Sequence, residues 1–219
     1  MSHVITCTEE IEEHGYCQQR PELKTGDKYL HEEAGKKRLH IVKSVHFDKY
    51  VWENVAQWTT VIEEYCEEEY MLCTIPVNIQ KSNQSEIPVF VAKGLIGVLS
   101  CNKDLVCGKV IIPSKIGDVN VRGVGSFGFY DCQNLKEVAF SPMVMIAYEY
   151  AFAKSGIAAM AFNDEVPVMV HFTAIYGCKS LPEFDRIFDK PFPGKYLIRE
   201  DEAFHEWEEK LYQLNLLNR

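Results

Sequence analysis

Three segments in the second half of the chain share one pattern of large apolar and small residues. The segments are residues 128–140, 151–162 and 174–184. Their large residues Phe129, Phe152 and Ile175 follow one another at equal intervals of 23 residues. Three positions further on, each segment has a small, weakly polar residue: Cys132, Ser155 and Cys178. An interval of this length is typical of a solenoid, in which each coil buries its apolar side against the next.

The alternative is a single irregular α+β domain in which this spacing is coincidental. The middle segment is one residue shorter between Ser155 and Ile157, but it regains the register before the next segment begins. Two equal intervals with several matched positions favour the solenoid.

The pattern resembles the BspA-like class of leucine-rich repeats, in which a conserved Ile-Gly pair precedes the small-large pair of each coil. The matching residues are Val124, Gly125, Gly128, Phe129, Cys132, Leu135 and Val138. The resemblance covers about residues 108–187, and it departs from the family at Ala147-Tyr148 and Val170-His171. It implies a fold of stacked coils and says little about function.

Helical periodicity appears on both sides of these segments. Phe204, Trp207 and Leu214 lie on one stripe and predict a helix that caps the stack, and apolar residues at steps of three and four between Phe47 and Leu72 predict a long amphipathic helix. The predicted fold is therefore α+β, with a short solenoid of about three coils. Its parts are an N-terminal α+β region or cap over 1–100, the solenoid over 101–190 and a C-terminal capping helix over 191–219.

Charge and cysteine content restrict the partners. The formal net charge is −9, and the only basic run is Lys36-Lys37-Arg38, so direct binding of nucleic acid is not expected. The longest apolar stretch, residues 88–99, is too short to cross a bilayer. The first residues do not form a signal peptide, so we expect a cytoplasmic protein with reduced cysteines. Cys132 and Cys178 should lie too far apart to form a disulfide.

The strand residues that alternate away from the core of a solenoid form a continuous face on which partners bind. In this chain the middle coil contributes only alanines to that face, so another protein surface can approach its backbone closely. The predicted partner-binding residues are Lys136, Glu137, Ala139, Ala158, Ala159, Ala161, Glu183 and Asp185.

Two other motifs have weaker functional interpretations. The Gly-x-Gly-x-x-Gly string at 123–128 is followed by a poor helix start, so it does not indicate a dinucleotide site, and no cofactor is expected. The first residues contain the potential zinc ligands His3, Cys7, His14 and Cys17, but only the last two are tightly spaced, so no metal site is assigned.

Three functions are compatible with these patterns. The first is a non-enzymatic protein–protein interaction module that uses the repeat face. The second is an acidic inhibitor or decoy that occupies the basic groove of a nucleic-acid-binding partner, because acidic residues cluster within 9–69. The third is an enzyme with its active site in residues 1–100, although no recognisable catalytic motif is present and no catalytic residue is assigned. The oligomeric state and the identity of the partner do not follow from the sequence.

Overall fold

A computed structural model describes most of the first 181 residues and one later strand. The described residues are 2–10, 23–52, 55–78, 86–162, 168–181 and 195–198. Several of the sequence predictions lie outside them, namely the capping helix around Phe204–Leu214, the face residues Glu183 and Asp185, and the potential ligands His14 and Cys17. Contacts within the chain divide it into two compact units, Met1–Tyr70 and Met71–Arg219, whereas the sequence suggested a boundary near residue 100.

The N-terminal unit contains one antiparallel sheet of four strands. The strands are β1 (Ser2–Glu10), β2 (Lys28–Glu33), β3 (Lys36–Trp52) and β4 (Val55–Tyr65), in the order β1-β4-β3-β2. A short 3-10 helix, Glu67–Glu69, follows β4. Leu39, Val42 and Ile62 are buried in the sheet. Ala34 and Gly35 form the turn between β2 and β3 with positive φ angles of 52° and 75°, which the glycine adopts without strain.

The helix predicted between Phe47 and Leu72 is wrong, because this segment forms all of β4 and parts of the strands before and after it. Five of the eleven residues of β4 are β-branched, and such residues favour extended backbone. The strand also supplies the pairing partner for both β1 and β3 along its length. A strand that is paired on both edges satisfies its backbone hydrogen bonds through its neighbours and does not need a helix for this. The steps of three and four between apolar residues were therefore coincidental.

The C-terminal unit is also built from strands. In chain order they are β5 (Tyr70–Asn78), β6 (Glu86–Ala92), β7 (Leu95–Gly97), β8 (Gly108–Ile112), β9 (Lys115–Ile116), β10 (Val119–Asn120), β11 (Gly123–Val124), β12 (Leu135–Phe140), β13 (Ile146–Ala147), β14 (Ala159–Ala161), β15 (Val168–His171) and β16 (Lys195–Ile198). Ten of them follow the order β14-β12-β8-β5-β6-β7-β11-β13-β15-β16, and β9 pairs with β10 in a separate hairpin.

Parallel pairing joins positions that are 23 residues apart in part of this unit. Gly123 of β11 pairs with Ile146 of β13, which in turn pairs with Met169 of β15. Each of these three strands is followed by a turn, at residues 126–131, 149–154 and 172–177, and backbone hydrogen bonds link the turns. Inside the unit, the rings of Phe129 and Phe152 are fully buried and stack with centroids 5.6 Å apart.

The predicted class, an α+β solenoid with a helical cap, is nevertheless wrong. The chain is mostly β-structure arranged in several sheets, and helix among the described residues is limited to Glu67–Glu69 and a second 3-10 helix, Ser100–Leu105. The physical reason is that tight turns and extended segments connect the strands where an α+β solenoid would have helical returns. The N-terminal unit, with its long antiparallel strands, also has no place in such an array.

The glycines of the 123–128 string have a packing role. Gly123 is in β11, and residues 126–131 form the first of the three turns. A Cβ on Gly128 would lie 2.9 Å from the carbonyl oxygen of Ile96, and Val98 N donates a hydrogen bond to the carbonyl oxygen of Gly128. Close approach of neighbouring backbones therefore accounts for Gly123 and Gly128, whereas Gly125 has only ordinary contacts.

Candidate protein-binding face

One side of the strands β8, β12 and β14 contains most of the predicted partner-binding residues. The register pairs Glu137 with both Lys109 and Ala159, and it pairs Ala139 with both Ile111 and Ala161. Two rows of side chains thus cross the three strands. The row Lys109, Glu137 and Ala159 begins with an ion pair, and the row Ile111, Ala139 and Ala161 is wholly apolar. We call these six residues the outer sheet face.

Burial alternates along the strands, as expected for a sheet with one covered side. Val110, Ile112 and Val138 are buried on the inner side, whereas Ile111 is 39% exposed and both Ala159 and Ala161 are exposed. Because the inner row is closely packed, the backbone that carries the outer row is held in place.

The neighbouring strand β5 continues the apolar character of this side. Val77 pairs antiparallel with Val110, so Pro76 adjoins the position of Ile111. Pro76 is exposed, and so is Leu72, at 51%. Ile75, which alternates with them, is buried. The apolar row therefore extends across four strands.

A β-bulge explains why two consecutive residues of β12 both face outward. The pairing with β8 shifts between Leu135 and Glu137, which leaves Lys136 as the extra residue. The Nζ of Lys136 donates to the carbonyl oxygen of Gln133 at 3.1 Å. The carboxylate of Glu137 accepts a hydrogen bond from Lys109 Nζ, so the charges of this row neutralise each other.

The structure thus brings together five of the eight predicted residues, namely Lys136, Glu137, Ala139, Ala159 and Ala161. Ala158 is exposed just before β14, and its N–H donates to the carbonyl oxygen of Lys136 at 2.8 Å. Glu183 and Asp185 lie outside the described residues. Sequence reasoning missed Lys109, Ile111, Leu72 and Pro76. Residues 110–112 are all apolar, so no alternation in the sequence marked Ile111 as the outward-facing residue.

The cysteines offer no disulfide or metal chemistry in the described part of the chain. Cys132 and Cys178 are both free, which confirms that they do not pair. Cys178 Sγ lies 3.1 Å from the carbonyl oxygen of Phe152 and 3.5 Å from Ser155 Oγ, and burial raises the pKa of its thiol. Among the described residues, no group of His, Cys, Asp and Glu side chains has the geometry to hold a metal ion.

A polar cluster in the N-terminal unit bears on the alternative that this region is an enzyme. His40, almost fully buried, places its Nε2 3.0 Å from a carboxylate oxygen of Glu64 and its Nδ1 3.3 Å from the Tyr29 hydroxyl. Arg38 Nη1 donates to the other carboxylate oxygen of Glu64 at 2.5 Å. This carboxylate–imidazole–phenol chain joins β2, β3 and β4.

The electrostatics of this cluster favour a structural role over a catalytic one. Burial lowers the pKa of His40, and the hydrogen bond with Glu64 opposes only part of that shift. Burial also raises the pKa of Tyr29, and nearby Asp27 adds to this effect. A tyrosine nucleophile requires a lowered pKa, whereas these shifts keep the phenol protonated.

Comparisons with protein-family models, with curated proteins and with solved structures found no match. The likeness to BspA-like repeats therefore stays a prediction from residues 108–187. In the described residues, no helix combines the length and the apolar character that are needed to cross a membrane.

Proposed function

We propose that this chain is a non-enzymatic protein–protein interaction module that binds its partner through the outer sheet face. The observation that carries this proposal is the apolar row in which Ile111 and Ala161 are exposed and Ala139 is half-buried, while Val110 and Val138 are fully buried on the inner side. Exposed apolar patches rimmed by polar residues commonly mark interaction sites. The partner is a protein, and we propose neither direct nucleic-acid binding nor membrane binding.

The size of the outer sheet face indicates which kind of partner segment fits it. Four neighbouring strands at about 4.8 Å spacing, with roughly five residues each, give an area of about 300 Å². A standard interface buries about 800 Å² on each partner. The face therefore fits one strand or one helix laid across it rather than a whole domain, and its alanines permit close approach of that segment's backbone.

The decoy alternative receives less support from the charge distribution. Several acidic residues of the N-terminal unit are opposite basic ones: Glu32 pairs with Lys37 in the register, and Glu64 forms an ion pair with Arg38. Such pairs reduce the net negative field that a decoy for a basic groove requires.

A cytoplasmic location is part of the proposal, supported by the free cysteines.

Parallel affinity capture from the native cell, followed by mass spectrometry, tests the proposal. The baits are the wild type, Ala161→Arg and Asn120→Arg, the last being a control at an exposed position in the β9–β10 hairpin. Both substitutions are at exposed sites, where changes usually alter stability by less than about 0.5 kcal/mol.

We expect at least one protein that the wild type and Asn120→Arg capture and that Ala161→Arg loses, because the arginine disrupts the flat apolar row. A captured set that is the same for all three baits would overturn the proposal.

A further inference from the structure

A second surface, formed by the three linked turns, is distinct from the outer sheet face. It consists of Tyr130, Tyr150, Lys154, Phe172 and Tyr176, and we call it the turn surface. Tyr176 is 64% exposed, Phe172 is 41% exposed, and Lys154 is exposed. Tyrosine is enriched at protein interfaces, because it provides a large contact area at a small cost in side-chain entropy.

Backbone hydrogen bonds hold the turns in register. Asp131 N donates to the carbonyl oxygen of Ala153 at 3.0 Å, and Lys154 N donates to that of Tyr176 at 2.8 Å. Below the surface, the buried ring of Phe127 stacks on Tyr150 with centroids 5.1 Å apart. The rings of Tyr150 and Tyr176 meet edge to face at 6.4 Å. The exposed aromatic side chains therefore stand on a rigid support.

Lys154 gives this surface a positive charge on an acidic chain. Its Nζ lies 5.3 Å from the centroid of the Tyr130 ring, and a hydrogen bond with Tyr130 raises the pKa of Lys154. Among the described residues no carboxylate is within ion-pair distance of Lys154. The nearby carboxylate of Asp131 is already held by Lys103 at 2.5 Å and by Gln133 at 2.9 Å. With respect to the described residues, the ammonium group is thus available for an anion that a partner brings.

The spacing of the tyrosines matches that of an extended peptide. Tyr130 and Tyr176 occupy equivalent positions two turns apart, with the small, buried Ala153 at the equivalent position between them. Neighbouring backbones linked in this way are about 4.8 Å apart, so the two tyrosine positions are separated by roughly 9.6 Å. One turn of a polyproline II helix rises about 9.3 Å, and such segments dock on aromatic-lined surfaces.

We propose that the turn surface binds an extended, proline-containing segment of a partner protein that carries an acidic residue. Its carboxylate pairs with Lys154, and its prolines pack against Tyr130 and Tyr176. This site is independent of the outer sheet face, so either can be correct without the other.

Fluorescence anisotropy with labelled peptides and the full chain tests this inference. The probe is a mixture of peptides of about nine residues, or three polyproline turns, with two prolines three positions apart, a Glu between them and mixed apolar residues elsewhere. A matched mixture has Gln in place of Glu. The protein variants are Lys154→Met, Tyr176→Ala and the control Lys115→Met, which removes an exposed lysine of the β9–β10 hairpin, outside the three turns. Thermal melts establish that each variant is folded.

We expect the Glu mixture to bind about tenfold more tightly than the Gln mixture, the difference expected for one charge-assisted contact. Lys154→Met should bind both mixtures equally weakly, Tyr176→Ala should weaken both, and Lys115→Met should behave as the wild type. The inference is overturned if the Glu mixture causes no rise in anisotropy, or if Lys154→Met still discriminates between the mixtures. It is also overturned if Ala161→Arg, rather than Lys154→Met, abolishes binding.

Discussion

Gly123→Ala should destabilise the C-terminal unit far more than the same change two residues later. A Cβ on Gly123 would lie 2.3 Å from the carbonyl oxygen of Ile146 and 2.2 Å from its Cγ2. The first of these atoms is backbone, so β11 and β13 must move apart by about 1 Å to restore normal contact. Overpacking of this kind costs about 1–3 kcal/mol and occasionally more, and backbone on both sides favours the upper end.

Gly125→Ala is the matched control. The nearest atom to its added Cβ is Leu95 Cβ at 3.4 Å, an ordinary contact, and the change should stabilise by about 0.4–1 kcal/mol through the unfolded state. The two variants should therefore differ by about 3–4 kcal/mol, or roughly 10 °C in Tm for a unit of this size. Thermal melts followed by circular dichroism measure this difference. If both variants melt within a degree or two of the wild type, the pairing of β11 with β13 is wrong.

Three further changes test other parts of the structure. The folded-state pKa of His40 is depressed below its unfolded value of about 6.5. The stability that His40 contributes is therefore present above that pH and is lost as the pH falls from there through the folded-state pKa. The urea midpoint should thus decrease below about pH 6.5, and in His40→Gln this decrease should be smaller. Phe152→Leu should cost about 1.5 kcal/mol in denaturant unfolding, because it removes the ring contact with Phe129. Lys109→Met should cost less than about 1 kcal/mol by the same assay, because the pair with Glu137 is more than one-third exposed and screened by solvent, and a larger loss would contradict this weak pairing.

The sequence predicted local features of the C-terminal unit better than its class. The equal spacing of Phe129 and Phe152 corresponds to two stacked, buried rings, since residues of the same size recur where neighbouring turns are in contact. The spacing did not reveal what connects the strands. The connections depend on the backbone conformation at positions such as Asp131 and Lys154. Both residues have positive φ angles, which are uncommon for residues other than glycine.

The N-terminal unit was predicted poorly for a different reason. Apolar residues at steps of three and four suggested a helix, but Thr60 and Ile62 are buried in β4, which pairs with β3 on one edge and with the distant strand β1 on the other. A single sequence does not show such long-range pairing, and β-branched composition was the only local sign of it.

The candidate face was found in part. Ala139 and Ala161 followed from strand alternation, whereas Ile111 belongs to a strand that pairs with β12 across a long stretch of sequence. The bulge at Lys136 also depends on that pairing. Local pattern thus identified residues on single strands, and the structure was needed to join them into one surface.

Site-specific photo-crosslinking in the native cell tests the central claim most directly. A photoreactive phenylalanine analogue is placed at Ala161 on the outer sheet face, and a matched protein carries it at Asn120. We predict a discrete crosslinked partner from the Ala161 position that is missing from the Asn120 position, because only the former is within the proposed interface. No crosslink at Ala161, or the same products from both positions, would contradict protein binding through this face.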